Sequence, residues 1–307
     1  MPQTDYTRFL VDKPWRKTDG PAVLNMTSPA MQLMSSAQVK EAAYNIRFAW
    51  VTGIPEPNPP TPLHTHDYNE VLLFIGGDCR DPENLWAEVD LTVGSQKLSV
   101  NSTGSVFIPA GVPHGRSTWK KVMKPHVIIA VGIGKGEYQA GPASQSGKAS
   151  IEDYSRFHVR KPAYEVLAGT PVKGRQGPSS MTFVNNSLIP GSNIYIEGGW
   201  VWDMPEPNPH IFEHGHDFEE IVIHFGADYT HPYNLGAEIE FGVGGQSLSV
   251  SQTSAVFVPA GVKHGPLTWK KYLYPHLEMA IMPGAGTLAE ADPGGHIKKT
   301  KRRKNNG

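Results

Sequence analysis

The chain is written twice. Residues 103–126 read TGSVFIPAGVPHGRSTWKKVMKPH and residues 253–276 read TSAVFVPAGVKHGPLTWKKYLYPH, with 15 of 24 positions identical. Upstream, Pro55-Glu56-Pro57-Asn58-Pro59 recurs as Pro205-Glu206-Pro207-Asn208-Pro209, again 150 positions on. Asp5-Tyr6-Thr7-Arg8-Phe9 with Lys13-Pro14 recurs as Asp153-Tyr154-Ser155-Arg156-Phe157 with Lys161-Pro162, at an offset of 148. Each copy covers roughly 130 residues, the size of a domain and too long for a solenoid unit. Any fold for this chain must therefore be one that such a segment can complete, made in tandem. The matched segments at 5–9 and 153–157 lie far ahead of the rest of their own copies. They are expected to pack across the domain boundary or across a dimer interface.

Inside each copy the same four potential ligands keep the same spacing. The first copy has His64-Thr65-His66-Asp67-Tyr68-Asn69-Glu70 and then His114, 44 positions after the Glu. The second has His214-Gly215-His216-Asp217-Phe218-Glu219-Glu220 and then His264, again 44 positions on. Side chains alternate along a strand, so the two His and the Glu share parity and are expected on one face of one strand, with a distant strand adding the third His. Three imidazoles and a carboxylate suit a divalent transition metal such as Fe, Mn, Zn or Ni, and the ligand types do not choose among these. Two ions per chain are expected. Four protein ligands leave one or two coordination positions open for substrate, water or O₂.

The apolar pattern is that of strands. Glu70–Ile75 and Glu220–Phe225 are β-branched or apolar, and Ala87–Leu91 and Ala237–Phe241 alternate apolar with acidic residues. Val93-Gly94-Ser95-Gln96 and Val243-Gly244-Gly245-Gln246 supply hairpin turns. With 32 Gly and 27 Pro and no long helical periodicity, an all-β sandwich or barrel follows. The expected division is an N-terminal barrel over 1–135, a Gly/Ser-rich linker over 136–152, a C-terminal barrel over 153–285 and a basic tail over 286–307.

Composition narrows the function. The 28 basic and 29 acidic residues leave a net charge of −1, which offers no footprint for nucleic acid over the body of the protein. The run Lys298-Lys299-Thr300-Lys301-Arg302-Arg303-Lys304 reads as a solvated tail, with nucleic-acid contact or targeting as the alternative. A single Cys fits a reducing compartment, and the N-terminus has no apolar targeting core, so a cytoplasmic protein without a membrane span is expected.

The motifs resemble those of the cupin superfamily, and the whole chain is similar to a bicupin. The first cupin motif is matched by His64, His66, Glu70 and Gly77. The second, PxGxxH, is matched by Pro109-Ala110-Gly111-Val112-Pro113-His114 and by Pro259-Ala260-Gly261-Val262-Lys263-His264. The resemblance covers about 80 residues of each copy and implies two tandem jelly-roll β-barrels, each with its own metal. The departures fall in turns: Asn58 or Asn208 stands where the family has Gly, Thr118 or Thr268 where it has Asn, and Ala227 where the first copy has Gly77. No RxxHWH-like stretch occurs, so the oxalate-decarboxylase type of bicupin is a poor match in sequence.

Such proteins include Fe(II) dioxygenases, Mn(II) decarboxylases, isomerases, lyases and hydrolases of small oxygenated molecules. The resemblance therefore implies a metal-dependent enzyme on a small hydroxylated, keto or carboxylated substrate, with a dioxygenase as the first reading and a homo-oligomer as its form. A redox-neutral lyase, hydrolase or isomerase is the alternative, followed by a ligand-binding protein without catalysis. A storage cupin is disfavoured because all eight ligands are intact. Two differences between the copies mark candidate catalytic residues. His224 stands where the first copy has Phe74, on the parity of the ligand Glu, and an imidazole there could shuttle a proton or contact substrate. Arg116 follows His114 where the second copy has Pro266, and could hold a carboxylate. Trp119/Trp269 and His126/His276 recur in both copies and are read as packing residues. Glu88, Asp90, Glu238 and Glu240 are read as a solvated strand face, and His231 as a loop residue.

Overall fold

The computed structural model describes residues 4–16, 22–142, 153–165, 172–177 and 179–291. Residues 143–152 of the expected linker and 292–307 of the expected tail, including the basic run, lie outside the described residues. The chain packs as two compact units, Pro14–Pro162, and Met1–Lys13 together with Ala163–Gly307.

Each unit is a jelly-roll of two antiparallel sheets. In the N-terminal unit the larger sheet runs in the order His158–Val159, Gly104–Ile108, Asn69–Gly76, His126–Ile133, Tyr44–Glu56, Met31–Met34, Trp15–Arg16. The smaller sheet runs Gly141–Pro142, His64–Thr65, His114–Val122, Asn84–Val93, Gln96–Ser102. The C-terminal unit repeats this with Leu10–Val11, Ser254–Val258, Glu220–Gly226, His276–Pro283, Ile194–Glu206 and Lys173–Arg175 in one sheet. Its second sheet holds Gln246–Gln252, Asn234–Val243 and His264–Tyr272. Both of its sheets contribute to one core, in which Val222, Val256 and Val201 meet Ile239, Leu267 and Trp269. The alternating segments behave as expected: Glu88, Glu238 and Glu240 face solvent while Val89, Leu91, Ile239 and Phe241 are buried. Lys120 pairs with Asp90 and Lys270 with Glu240 across that outer face, at 2.8 and 2.9 Å.

Unit boundaries differ from those expected at both ends of the copies. Each opening segment belongs to the unit of the other copy. Leu10–Val11 pairs with Val256 and Ala255, and His158–Val159 pairs with Val106 and Ser105. The cause is a Tyr seated on a hairpin turn. Gly94 has φ +58° and its Cα faces the Tyr154 ring so closely that a Cβ would sit 2.3 Å from it. The Tyr154 N–H donates to Gln96 Oε1 at 2.8 Å. Tyr6 repeats both contacts on Gly244 and on Gln246, its N–H donating at 2.9 Å. The expected linker also starts later than 136, since Gly141–Pro142 pairs with His64–Thr65. Likewise the region expected as tail opens with a one-turn helix, Leu288–Ala291, whose residues pack on Tyr195 and Met282.

The repeated Trp and His have a shared structural task. Trp119 Nε1 donates to His126 Nε2 at 3.0 Å, and Trp269 Nε1 to His276 Nε2 at 2.9 Å, all four side chains being buried. Asn58 and Asn208, the residues that replace the family Gly, clamp the same strands. Each side-chain amide donates to the Trp carbonyl, at 2.8 and 2.7 Å, and accepts the Trp N–H at 3.0 Å.

Candidate metal centres

Parity predicts two His and the Glu on one strand, and here the structure differs. His64–Thr65 belongs to the smaller sheet, where His64 pairs with His114, whereas Glu70 is the second residue of Asn69–Gly76 in the larger sheet. His214 likewise bridges His264, and Glu220 starts Glu220–Gly226. His66-Asp67-Tyr68 and Asp217-Phe218-Glu219 turn the chain from one sheet to the other, so the four ligands converge from both walls. A Gly turn fixes this crossing. Gly111 and Gly261, at φ +78° and +76°, donate their N–H groups to the carbonyls of His66 and His216, at 2.7 and 2.8 Å. A side chain with a Cβ rarely adopts that φ, which accounts for Gly in the Pro-Ala-Gly turn.

In the C-terminal unit the donor atoms of His214, His216, Glu220 and His264 lie within 4.8 Å of one another. In the N-terminal unit His64, His66 and His114 form such a group. Glu70 reaches two of them, with Oε2 3.1 Å from His114 Nε2 and Oε1 3.7 Å from His66 Nε2. It is also drawn toward Arg47, whose Nη2 is 3.4 Å from Oε1.

All six imidazoles are oriented in one way. Nδ1 of His64, His66 and His114 lies 3.0, 2.8 and 2.9 Å from the carbonyls of Pro62, Gln139 and Val112. Nδ1 of His214, His216 and His264 lies 2.8, 2.8 and 3.0 Å from those of Phe212, Phe218 and Val262. A carbonyl only accepts, so each Nδ1 carries the proton and each neutral ring turns the lone pair of Nε2 inward. Those lone pairs face carboxylate oxygens at short range: His264 Nε2 is 2.7 Å and His216 Nε2 3.2 Å from Glu220 Oε2. Two acceptors at such distances need a proton or a metal ion between them. Burial and the neighbouring imidazoles pull the His64 pKa down to about 4 and lower that of His214. His66 is lowered chiefly by burial. His264 goes the other way, since Glu220 outweighs the effect of burial. Burial pushes Glu70 up, but His114 and Arg47 overcome this and hold it at about 2. Glu220 is held below the usual carboxylate range by His216 and His264 despite burial. Ionised carboxylates and inward lone pairs are what a divalent cation requires, so both donor sets fit a resident metal.

One His of each set is less buried than the other ligands. His66, Glu70, His114, Glu220 and His264 are buried, while His64 and His214 are half-buried. A cleft of about 460 Å³ is lined by His214 and His216 together with Glu213, Asp217 and Lys263. His66 stacks on Tyr68 and His216 on Phe218, with ring centroids 4.6 and 3.9 Å apart.

Three residues near the N-terminal centre are not apparent from motif reading. Arg47 shares the inner wall with Ala130 and Leu72 by strand register, and its guanidinium carbon lies 3.5 Å from the centroid of the Tyr138 ring. Tyr138 and Gln139 lie in what composition marks as linker. A signal for Arg47 did exist: it is a cation between the apolar Ile46 and Phe48, and its counterpart in the second copy is Glu197. Of the candidate catalytic residues, Arg116 is exposed, at φ +47° beside a strand irregularity, and His224 is fully buried four residues beyond Glu220. Neither belongs to a metal group. His231 is exposed, with Nδ1 2.9 Å from Asp228 Oδ2.

No family model matches the chain, and no curated protein matches it in sequence. Solved structures do share its fold. AerE from Microcystis aeruginosa superposes with a TM-score of 0.51 at 11% identity, over 90% of this chain and 98% of that one. A variant of oxalate decarboxylase from Bacillus subtilis gives 0.54 at 11% identity, over 92% and 85%. A structure from a study of the Mn(II) centers of the same decarboxylase gives 0.52 at 11%, over 89% and 80%. At these identities the likeness is one of fold, and it agrees with the all-β cupin architecture that the motifs imply.

Proposed function

We propose that the protein is a metal-dependent enzyme acting on small hydroxylated, keto or carboxylated organic molecules, with one divalent ion held by His64, His66, Glu70 and His114 and a second by His214, His216, Glu220 and His264. The observation that carries this reading is the common orientation of six imidazoles, each tied to a carbonyl through Nδ1 and offering Nε2 to a carboxylate-bearing centre. When bound, the metal would supply Lewis acidity or O₂ activation at its open positions. The chain's own residues do the rest. Backbone carbonyls hold the ligand tautomers, and Tyr68 and Phe218 shield one face of the centres. His64 and His214 mark the side from which substrate enters.

Our first reading of the reaction is oxygen-dependent cleavage on Fe(II). A second reading, redox-neutral chemistry such as decarboxylation on Mn(II), is favoured by Arg47. Its cation stands beside the N-terminal centre, where a substrate carboxylate would be drawn. It is also in keeping with the Mn(II) centers of the decarboxylase that shares the fold. Elemental analysis of protein purified without a metal-affinity tag tests the premise, with close to two ions per chain expected. O₂ uptake and CO₂ release on a panel of catechols, keto acids and dicarboxylates then separate the two reactions. Metal content near zero after metal-replete expression would overturn the enzyme reading. Turnover without O₂ consumption would overturn the dioxygenase reading alone.

A further inference from the structure

The two copies diverge most sharply at one depth of the C-terminal unit, beyond its metal ligands. Strand register sets Met26 opposite Val51 and Arg175 opposite Val201, so Arg175 takes the place of Met26. His210 stands for Pro60, His224 for Phe74, Ser254 for Gly104 and Glu278 for Ile128. His224 is flanked in register by Ser254 on one neighbouring strand and Glu278 on the other, so the three share a face. That face also carries Glu220, two alternations earlier on the same strand. Arg175 Nη2 and His210 Nε2 lie 3.3 and 3.4 Å from Glu278 Oε2. The strand opposite Glu278 makes room for the guanidinium. Gly199 stands there, and a Cβ on it would lie 3.4 Å from the Arg175 nitrogen, where the N-terminal copy has Ala49.

The cluster is interior. His224 is 0% exposed, Ser254 1%, His210 4% and Glu278 6%. Packing alone does not call for it, because the N-terminal copy closes the same scaffold with Met, Pro, Phe and Ile. Apolar residues in place of a buried ionic network are often neutral or stabilising. Nor do these groups satisfy one another. Both ring nitrogens of His224, Ser254 Oγ, Glu278 Oε1 and Arg175 Nε have no hydrogen-bond partner among the described residues. Buried polar atoms in folded proteins nearly always have one, from the protein, from water or from a ligand. A third metal is a poor match. Among the described residues, the groups of three or more His and carboxylate donors that gather within 4.8 Å are those of the two metal centres.

The chemistry of the site selects its ligand. Arg175 and His210 keep the Glu278 carboxyl below its usual range despite burial, so it is an ionised acceptor whose charge Arg175 balances. Burial lowers His224 to about 4, so at neutral pH its ring is uncharged, with one donor and one acceptor. A site whose carboxylate is paired with an Arg, and which offers a mixture of unmet donors and acceptors, has little to hold an anion. Hydroxyl groups, each a donor and an acceptor, complement it.

We propose that Arg175, His210, His224, Ser254 and Glu278 form a binding site, inside the C-terminal unit and without counterpart in the N-terminal one, for a neutral small molecule carrying two or more hydroxyl groups. The proposal goes beyond the metal reading and does not rest on it. The test uses full-length metal-loaded protein with glycerol and myo-inositol as probes and oxalate as an anionic control, read by saturation-transfer NMR and calorimetry. Saturable polyol binding is expected. It should weaken at least about tenfold in Glu278→Gln and in His224→Phe, the scale of one or two lost charge-assisted hydrogen bonds. Phe74→Leu should leave it unchanged. Metal content should stay constant across the variants, which keeps this test separate from that of the metal centres. The combined variant Arg175→Met, His224→Phe, Glu278→Ile introduces the residues of the N-terminal copy and should lose polyol binding with its Tm kept or raised. Absence of saturable polyol binding to the wild type would overturn the proposal. So would binding indifferent to Glu278→Gln, or a Tm that falls in the combined variant, which would mark the cluster as structural.

Discussion

Replacing Tyr154 by Ala tests the exchange of opening segments. In sequence Tyr154 opens the second copy, but it is 0% exposed on the Gly94 turn of the first. Truncating a buried aromatic residue to Ala typically costs about 3–5 kcal/mol, through lost burial and the space left behind. Gly94 cannot fill that space, because it has no side chain. The Tyr154 N–H bond to Gln96 is a backbone bond that Ala can keep, so the loss should come from the ring. Against a domain stability of roughly 5–15 kcal/mol, this is a large fraction. For a unit of this size it corresponds to a Tm lower by roughly 6–20 °C. Hydrogen exchange read by mass spectrometry on full-length Tyr154→Ala locates the damage. Peptides within 22–142 should lose protection while those within 179–291 keep it. Tyr6→Ala should show the reverse pattern with a smaller effect, since Tyr6 is only half-buried. Protection lost from 179–291 in Tyr154→Ala would refute the assignment of this segment to the N-terminal unit.

Other expectations follow from the centres and their surroundings. His114→Ala and His264→Ala should each lower metal content by about one ion per chain, by elemental analysis, because each removes one donor from one set. Metal-free protein should lose stability as the pH falls from about 6.5 toward 4. His64, His126, His224 and His276 all have folded values depressed to about 4, so the unfolded chain takes up protons first; Tm measured across that window checks the sign. Trp269→Phe should destabilise the C-terminal unit by about 1–3 kcal/mol in urea titration, since the buried Nε2 of His276 loses its donor. Arg47→Leu should raise KM for carboxylated substrates more than it lowers kcat, if the guanidinium only anchors the carboxylate.

Much of this architecture was legible in the repeats. The alternating acidic and apolar residues at 87–91 and 237–241 gave half-buried strands, and the duplicated spacing marked side chains that lie near one another, three His in the first copy and three His with Glu220 in the second. The parity argument reached the correct face by the wrong route. His66 and Glu70 keep parity in number, yet Asp67-Tyr68 carry the chain between sheets. Turn chemistry there reads no differently from a strand with polar residues. Arg47, Tyr138 and Gln139 were hidden for another reason. Their approach to the centre depends on strand register and on a short pairing of Gly141–Pro142 with His64–Thr65, contacts too distant in sequence for local pattern to reveal. The same limit hid Glu278 and Arg175. Parity pointed to His224, but only register brings Glu278 to its side.

The exchanged segments also bear on how the protein is made. The N-terminal unit has all its strands once residue 162 has been synthesised, whereas Leu10–Val11 must wait for its partner strand Ser254–Val258. At about 5–20 residues per second, nearly a hundred further residues keep this arm unpaired for roughly 5–20 s. During that interval an apolar segment ending in a short strand is displayed near the ribosome, and another chain's completed C-terminal unit offers the same edge. Nascent chains on one messenger could therefore trade arms, linking expression rate to the yield of monomer over swapped oligomer.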